Sequence, residues 1–580
     1  MPLVSSHLVE TAAQRKARGA FYTPTAVARY VTDWAIRSVD DRVLEPSCGE
    51  AAFLVEAARR LRDLGACGDL AGRLHGTELH EASAEGARAA LEAVGEAAII
   101  KDGDFFQAEP TPAYAAVIGN PPYVRYQAFT GASRAVAQQA ALRAGVSLTR
   151  LASSWAAFTV HAALHVRPGG RLGLVLPAEM LSVNYAAPIR DFLMASFGRV
   201  RLVLFTERVF PGVIQDVVLL LAEGRGEGPS DHCELVQARN ADALAELDTG
   251  DVRRWRPPAG GRWSHALVDP AAAEAYACVV PAPGERASVI GGSDDSRLDA
   301  EAGDADAGGA APFVPLVSWG ATTSGMVTGA NAFFALSGAQ ARHRRIPSAE
   351  FVRISPPGSR HLRVSTLTSR RLDELDAVGE HTWLFRPPGE PSHASRAYLR
   401  EGVARGVDQA YKCRVRTPWW RVPLLAPADL FLTYMNADTA RLCTNLAGAH
   451  HLNSVHGVYL AAQHRQLGRE LLPLASLNSV TLLGAELVGR AYGGGVLKLE
   501  PREADRWPMP APAMVARRAA GLRAIRPAVR HLIAAGRLWD ASEAVDTALL
   551  DGVLPRESLM AVRAGRVGLH ARRTARSRSR

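Results

Sequence analysis

Short apolar runs alternate with amphipathic, helix-like stretches over residues 1–225, and this alternation constrains the fold more than any other feature. Apolar runs bounded by turn-forming residues are typical of strands that are buried on both faces. Strands that alternate with helices predict an α/β fold with a mostly parallel sheet and helices on both of its faces. Thr23 is expected to cap a helix that begins at Pro24 and has Val27 and Val31 on its apolar face. The apolar runs 200–205 and 217–221 are expected to form an antiparallel pair at the end of the sheet. The polar residues that end the successive runs are Glu45, Glu78, Asp104 and Asn120.

These polar residues are expected to share one crevice, because the carboxyl ends of parallel strands meet at the same edge of a doubly wound sheet. Any one of them alone could be a helix cap. Together they favour a binding site for a cofactor that contains a nucleoside. Glu78 is placed to accept hydrogen bonds from ribose hydroxyls, and Asp104 with Phe105 to bind the adenine base.

The loop after the first strand reads Glu45-Pro46-Ser47-Cys48-Gly49 and continues Glu-Ala-Ala-Phe. It contains a single glycine, so it is neither a GxGxxG dinucleotide loop nor a phosphate-binding P-loop. A pyrophosphate cofactor is therefore disfavoured. A cofactor without phosphates, such as S-adenosylmethionine, fits this loop better.

The tetrapeptide Asn120-Pro121-Pro122-Tyr123 follows the fourth apolar run directly. Two prolines cannot continue a sheet, and they fix φ without offering backbone N–H donors. What remains is a set of carbonyl oxygens beside an amide side chain and an aromatic ring. This arrangement suits a planar amine that donates hydrogen bonds while the ring stacks on it.

Composition limits the class of protein but does not choose the partner. A chain of 580 residues predicts two or three domains. The net charge of +9 is carried almost entirely by arginine, which nucleic-acid binding and a coding bias explain equally well. The chain has neither an apolar stretch near the ~20 residues of a membrane span nor a signal peptide. The scattered cysteines indicate no zinc site and fit a cytoplasmic location.

Changes in composition predict the domain boundaries. We expect a catalytic domain over residues 1–265, an Ala/Gly/Asp-rich linker over 266–312, a mixed α+β domain over 313–512, and a helical, Arg-rich segment over 513–580. The arginines of the last segment lack neighbouring acids in the sequence, so we expect this tail to be solvated and mobile.

Three segments of the chain resemble motifs of the gamma-class, TaqI-type N6-adenine DNA methyltransferases of restriction–modification systems. They are Gly19-Ala20-Phe21-Tyr22-Thr23-Pro24, the loop from Leu44 to Phe53, and Gly119-Asn120-Pro121-Pro122-Tyr123. The resemblance covers about residues 15–225 and includes the order of the motifs. Looser matches follow at residues 328–331, 451–454, 492–495 and 498–501.

The resemblance implies a class I S-adenosylmethionine-dependent methyltransferase, with a mostly parallel seven-stranded Rossmann-like sheet and a C-terminal target-recognition domain. It implies that the cofactor is bound by Tyr22, Thr23, Glu45, Pro46, Ser47, Cys48, Gly49, Glu78, Leu79, Asp104, Phe105 and Asn120. It also implies that Asn120 and the Pro121 carbonyl accept hydrogen bonds from the amine of an adenine flipped out of double-stranded DNA. Tyr123 would stack on that base.

Further DNA contacts are predicted where basic and aromatic residues are interleaved. In the C-terminal half these are Arg414, Arg416, Trp419 and Trp420. Trp263 is a candidate for the second aromatic residue around the flipped base, although a packing role is the alternative.

One departure from the family pattern lies in the cofactor loop, where Ala51 occupies the position of a second glycine. It leaves open a catalytically silent DNA-binding specificity subunit. A protein-glutamine N5-methyltransferase is another alternative, and a ribosomal-RNA methyltransferase a weaker one. The long region after the predicted sheet favours a module that reads DNA.

The expected partners follow from this reading. None of the lysines lies in a nuclease-like arrangement with acidic residues, so we expect any restriction endonuclease to be a separate protein. We expect the chain to be a monomer, to act on DNA outside membranes, and to bind no metal.

Overall fold

A computed structural model describes the protein over residues 23–124, 129, 131–207, 209–210, 216–247, 252–257, 261–281, 311–492 and 495–575. The chain divides into two compact units, Met1–Leu267 and Val268–Arg580. The first unit ends close to the predicted end of the catalytic domain at residue 265.

The first unit is built on one sheet. Its strands are β1 (Val43–Glu45), β2 (Leu74–Glu78), β3 (Ile99–Asp102), β4 (Tyr114–Gly119), β5 (Val166–Pro177), β6 (Phe197–Phe205), β7 (Val217–Arg225), β8 (Cys233–Ala238) and β9 (Arg253–Trp255). Its helices are α1 (Thr25–Ala35), α2 (Ala52–Asp63), α3 (Glu81–Glu92), α4 (Gly131–Leu142), α5 (Ser154–Leu164) and α6 (Ala187–Ser196).

The strand order is β3-β2-β1-β4-β5-β7-β6-β8-β9. Strands β1 to β5 pair in parallel, and β7 is antiparallel to both β5 and β6. The predicted antiparallel pair near the end of the sheet is therefore present. The sheet has nine strands rather than the expected seven, because β8 and β9 extend it beyond β6.

The order of the strands reverses between β1 and β4. From β1 the chain moves outward through β2 to β3 and then returns to the other side of β1. Right-handed crossovers in opposite directions place their helices on opposite faces of the sheet. Ligands of such sheets bind at the carboxyl ends of the strands where the order reverses, which here are the ends of β1 and β4.

Helix α1 begins one residue later than its sequence suggests. Thr23 was expected to cap a helix whose first residue is Pro24, but Pro24 is itself the cap residue and no side chain caps this helix. Val27 and Val31 of the predicted apolar face are fully buried. The Thr23 hydroxyl therefore does not cap the helix, and it accepts a hydrogen bond from the Asn120 side chain instead.

The second unit is mixed α+β. Its strands are β10 (Phe313–Pro315), β11 (Gly320–Ser324), β12 (Ala335–Leu336), β13 (Phe351–Arg353), β14 (Thr366–Leu367), β15 (Trp383–Phe385), β16 (Leu430–Thr433), β17 (Met435–Asn436), β18 (Leu442–Asn445), β19 (Val455–Leu460), β20 (Arg490–Tyr492), β21 (Val496–Lys498) and β22 (Pro508–Pro510). They form small sheets, of which the largest has the order β11-β19-β16-β18-β14.

Helices surround these sheets and form the end of the chain. They are α7 (Pro270–Val279), α8 (Asn331–Phe334), α9 (Gly338–His343), α10 (Ser369–Ala377), α11 (His393–Ala404), α12 (Tyr411–Arg414), α13 (Arg465–Ala475), α14 (Ser479–Val488), α15 (Pro501–Ala504), α16 (Pro512–Arg517), α17 (Ala519–Ala534), α18 (Leu538–Leu550) and α19 (Arg556–Ala575).

Two sequence expectations need correction in this unit. Residues 268–281 were assigned to a linker, but helix α7 lies there and packs on α19. The two helices are so close that a Cβ added at Gly565 of α19 would lie 2.7 Å from the Cβ of Ala272 of α7. Residues 282–310 of the predicted linker lie outside the described residues.

The second correction concerns the arginines of the C-terminal segment. Arg566 and Arg573 are each only 3% exposed, and Arg573 pairs with the buried Glu486. These arginines are packed rather than solvated, because their partners come from helices distant in sequence. Arg576, Arg578 and Arg580 lie outside the described residues.

No single helix in the described part of the chain is long and apolar enough to cross a membrane. One bent pair of helices, Ala462–Ala475 and Ser479–Val488, meets the length and composition criteria when taken together.

Candidate active site at the carboxyl edge of the first sheet

The ends of β1 and β4 lie side by side. Val43 of β1 pairs in parallel with Ala116 of β4. One residue before Asn120, a Cβ added at Gly119 would lie 3.6 Å from the Cγ of Glu45. The cofactor loop and the tetrapeptide therefore meet where the strand order reverses, as the sequence predicts.

The side chain of Asn120 is held by hydrogen bonds at both ends of its amide. Its Nδ2 donates to the Thr23 hydroxyl at 3.1 Å, and its Oδ1 accepts from the Tyr123 hydroxyl at 2.8 Å. A carbonyl oxygen has two lone pairs, so Oδ1 can accept one further hydrogen bond. Asn120 is only partly buried, so the amide is fixed in direction and still accessible.

Tyr123 is 7% exposed, and the Val175 carbonyl lies 2.9 Å from its hydroxyl. Burial, with a smaller contribution from Glu179, raises the pKa of Tyr123 far above its usual value, so the phenol stays protonated and can donate. The hydroxyl carries one proton, which the Asn120 and Val175 oxygens must share.

The two glutamates of the cofactor region have different surroundings. Glu45 is buried and accepts from the Leu54 N–H at 3.0 Å, and its burial raises its pKa well above the usual value. Glu78 accepts from the Gly49 N–H at 2.9 Å through Oε2 and from the His80 N–H at 3.1 Å through Oε1. Glu45 thus positions the start of α2, while Glu78 fixes the turn of the loop.

The remaining residues of the loop differ in burial. Pro46 and Cys48 are buried, Ser47 and Gly49 are partly exposed, and burial raises the pKa of the Cys48 thiol. Ala51 adopts a left-handed conformation with φ 62° and precedes the first residue of α2. A second glycine at this position would adopt that conformation without steric cost.

The region after β3 departs in part from expectation. Asp104 accepts from the Phe106 N–H at 3.0 Å and caps a short 3-10 turn, as the alternative reading allowed. The Phe105 ring is buried, with its centroid 5.1 Å from that of Phe158. Leu79, after β2, is 62% exposed.

The donor set fits S-adenosylmethionine. Glu78 and Asp104 supply carboxylate oxygens, which suit hydroxyl and amine donors, and the loop residues supply no cation for a phosphate. Tyr22 lies outside the described residues.

Trp263 does not belong to this site. It is 1% exposed, its ring packs edge-on against Trp255 with centroids 6.0 Å apart, and its backbone N–H donates to the Leu181 carbonyl. A residue that stacks on an extruded base must present a ring face, and Trp263 presents none. Its assignment as the second stacking aromatic is corrected to a packing role.

The predicted DNA contacts of the second unit divide into two groups. The Arg416 guanidinium donates to the Thr328 carbonyl at 2.7 Å, and Trp419 packs on Phe333 with ring centroids 5.8 Å apart. Trp420 is 9% exposed. Trp420 packs inside the second unit, so its assignment to DNA is corrected. Arg416 and Trp419 are partly exposed, and their contact with DNA stays a prediction. Arg414 is exposed.

Sequence reasoning missed a group of residues at the start of α5 and the end of β5. The Ser154 hydroxyl donates to the Pro122 carbonyl of the tetrapeptide and accepts from the N–H of Val124, the residue after it. The Trp155 indole and the Tyr185 hydroxyl both donate to the same Glu179 oxygen, at 2.9 and 2.7 Å. The paired serines at the start of a predicted helix were the available signal. Within the described residues, no group of three or more potential ligands is arranged for a metal.

The sequence pattern of the N-6 DNA methylase family matches residues 7–250, which hold strands β1 to β8 and this site. This part of the chain is an N-6 DNA methylase domain. The C-terminal domain of the type II methyltransferase M.Eco57I matches residues 307–550. The chain is therefore a DNA adenine methyltransferase with S-adenosylmethionine as methyl donor, and the class I fold expected from its sequence is confirmed.

Curated relatives of the chain include the type II methyltransferase M.XamI of Xanthomonas campestris pv. amaranthicola. It is 26% identical over 512 residues, which are 85% of each chain. M.HincII of Haemophilus influenzae is 25% identical over 202 residues, 35% of this chain and 36% of that one. The type IIL restriction–modification enzyme MmeI, solved with DNA, has the same fold, with a TM-score of 0.56 and 13% identity over 98% of this chain and 80% of MmeI.

Proposed function

We propose that Asn120 and Pro121 bind the exocyclic amine of the target adenine and direct its lone pair to the methyl donor. The observation that carries this role is the amide of Asn120, which Thr23 and Tyr123 hold with its oxygen able to accept once more. Pro121 has no backbone N–H, so its backbone offers only a carbonyl oxygen, which can accept a hydrogen bond from the amine.

The chemistry assigned to these residues is polarisation and positioning. The lone pair of an exocyclic amine is delocalised into the base, and hydrogen bonds from its two protons draw it back onto nitrogen. When bound, S-adenosylmethionine supplies the electrophilic methyl group. Asn120 and Pro121 hold the amine, and no strong base is needed because the methylated amine is acidic.

The target adenine must leave the helix to reach this edge of the sheet, since an amine stacked inside a duplex is inaccessible. Stacking of Tyr123 on the flipped base stays a prediction. Its ring is largely covered, so binding would have to expose one face. We also retain Glu78, Asp104 and the loop from Glu45 to Gly49 as the proposed cofactor contacts.

We propose that the one-turn helix α12 of the second unit contacts DNA. Tyr411 is 65% exposed, and Lys412 lies over its ring at 5.7 Å. The guanidinium of Arg414 has no hydrogen bond or ion pair with any described residue. Two cations beside an exposed aromatic ring suit a phosphate backbone with an adjacent base.

The biological role proposed for the chain is protection of host DNA in a restriction–modification system. Relatives are named as type II methyltransferases, which supports this role. Three expectations stay predictions. They are that any endonuclease is encoded separately, that the protein is a monomer and that it is located in the cytoplasm.

Substitution of Asn120 tests the assignment. Asn120→Ala should abolish methyl transfer from tritiated S-adenosylmethionine to DNA, while the Kd for duplex DNA stays within about threefold of wild type. Asn240→Ala, on a loop of the same unit, should keep full activity. Comparable activity in both variants would refute the role of Asn120.

Further measurements distinguish a DNA methyltransferase from the two alternative functions. A silent specificity subunit would bind DNA but no S-adenosylmethionine in calorimetry. A protein-glutamine methyltransferase would label a glutamine peptide and leave DNA unlabelled. Methylome sequencing of a host that expresses the chain would identify the modified base and the recognised sequence.

A further inference from the structure

The segment from Asn120 to Val124 has few backbone donors with which to hold its shape. Pro121 and Pro122 have no N–H group. The segment follows the last paired residue of β4, Gly119, so strand pairing no longer supports it. The position of its carbonyl groups must therefore be set by contacts from another element.

Ser154 provides three such contacts. Its N–H donates to the Val124 carbonyl at 3.0 Å, and its hydroxyl oxygen accepts from the Val124 N–H at 2.9 Å. The hydroxyl proton is donated to the Pro122 carbonyl in a short hydrogen bond. One buried side chain thus joins both sides of Tyr123, since Ser154 is 2% exposed.

The element that carries Ser154 is rigid. Ser154 is the first residue of α5, where backbone N–H groups have no partner inside the helix. The next residue, Trp155, is fully buried and donates to Glu179 after the end of β5. The start of α5 is thereby fixed to the sheet edge that also holds Val175, the second acceptor near Tyr123.

We propose that Ser154 is a positioning residue for methyl transfer, which holds the Pro122 and Val124 backbone so that Asn120 and the Pro121 carbonyl face the target amine. This inference rests on the proposed function of Asn120 and Pro121. Ser154 does not touch the base in this proposal; it acts through the segment that does. A displacement of about 1 Å in a reacting group can cost about a hundredfold in rate.

The alternative is that Ser154 only satisfies polar groups at a helix start. The two roles differ in what they affect. A residue that only stabilises the fold changes cofactor binding, stability and rate together. A positioning residue lowers the rate of the chemical step and leaves the affinities nearly unchanged.

The experiment compares Ser154→Ala, Ser154→Thr and Ser153→Ala in the full-length protein. Single-turnover methylation of a duplex by rapid quench gives the chemical rate, and calorimetry gives the Kd for S-adenosylmethionine. Fluorescence of 2-aminopurine at the target position reports base extrusion. Ser153 is the matched control, because it is adjacent and buried, and among the described residues its hydroxyl has one hydrogen bond, accepted from the Tyr185 hydroxyl at 3.2 Å.

Ser154→Ala should lower the single-turnover rate ten- to a hundredfold, with both Kd values within about threefold and the 2-aminopurine signal retained. Ser154→Thr, which keeps the hydroxyl, should recover most of the rate, and Ser153→Ala should lose less than threefold.

Two results would overturn the proposal. One is a wild-type rate in Ser154→Ala while Asn120→Ala is inactive, in which case the function of Asn120 stands and the positioning role fails. The other is a parallel loss of cofactor affinity, melting temperature and rate in Ser154→Ala, which would make the serine merely structural. If Asn120→Ala is itself active, the proposed function fails first.

Discussion

The amide nitrogen of Asn120 donates to the hydroxyl of Thr23 at 3.1 Å, across 97 positions of sequence. This bond joins the segment before α1 to the end of β4. It links the two motifs that the family resemblance assigns separately to cofactor binding and to catalysis. The orientation of the catalytic amide thus depends on a residue of the cofactor region.

Removal of the Thr23 hydroxyl should disorient the Asn120 amide. Thr23→Val keeps the shape of the side chain, but Asn120 Nδ2 loses its acceptor. We expect the single-turnover rate to fall about tenfold, which is the effect of about 1.4 kcal/mol on a barrier. Thr23→Ser should retain most of the activity, and equal rates for Val and Ser would show that the bond has no catalytic role.

Loss of the Glu78 carboxylate should weaken cofactor binding more than turnover. Glu78→Ala removes the acceptor of the Gly49 and His80 N–H groups and the proposed ribose contact. We expect the Kd for S-adenosylmethionine to rise at least tenfold in calorimetry. Glu81→Ala, at an exposed position of α3, is the control and should change the Kd by less than twofold.

A glycine at position 51 should stabilise the first unit. Ala51 is buried and left-handed, a conformation that costs a residue with a Cβ about 1–2 kcal/mol. Ala51→Gly should raise the melting temperature measured by calorimetry without lowering activity. A lower melting temperature would indicate that contacts of the Ala51 methyl group outweigh its backbone strain.

Salt dependence should reveal which arginines contact DNA. A plot of the logarithm of the DNA-binding constant against the logarithm of salt concentration has a negative slope. Arg414→Ala should make that slope less steep by about one unit, as expected for one lost phosphate contact. Arg530→Ala is the matched control, since Arg530 is exposed on α17 and forms no ion pair with a described residue. Equal slopes for the two variants would remove α12 from the DNA interface.

The second unit should lose stability in acid partly through His451. Burial lowers its pKa to about 4, and neither ring nitrogen has a hydrogen-bond partner in the part of the chain that the structure describes. In the unfolded chain the pKa is near ~6.5, so below that pH the unfolded state binds the additional proton. Stability is therefore full above pH ~6.5 and falls toward pH 4, by up to about 1.4 kcal/mol per pH unit.

His451→Leu tests this contribution, because it removes the imidazole without breaking a hydrogen bond. Urea unfolding is monitored by tryptophan fluorescence at each pH. Between pH 7 and pH 5 the urea midpoint of the variant should fall less than that of the wild type. The exposed His343→Leu should decline like the wild type. Identical pH profiles for all three proteins would contradict the assignment.

Local patterns predicted the elements of the first unit well. The apolar runs before Glu45, Glu78 and Asn120 became parallel strands that end near those residues, because a buried strand needs apolar residues on both faces. The antiparallel pair β6 and β7 followed from the same pattern. The sequence showed that Ala51 replaces a glycine of the family pattern, but it did not show that residue 51 has a left-handed backbone conformation.

Contacts between distant segments could not be predicted in the same way. Trp263 and Trp420 were predicted to meet a nucleic acid from the residues around them, yet packing covers both side chains. Burial depends on which elements meet, and a pattern within one segment does not contain that information. The same limit hid Ser479 and Glu486 of α14, which bind Arg566 and Arg573 from more than eighty positions away.

The sequence by itself determined the α/β sheet, the edge at which its polar residues gather and the tetrapeptide that defines the chemistry, because these depend on local periodicity and on residue type. Only the tertiary structure decided how Asn120 is held, which aromatic residues stay accessible and which arginines are free to meet DNA. Those properties arise from hydrogen bonds and burial between segments that are far apart along the chain, and they exist only once the chain has folded.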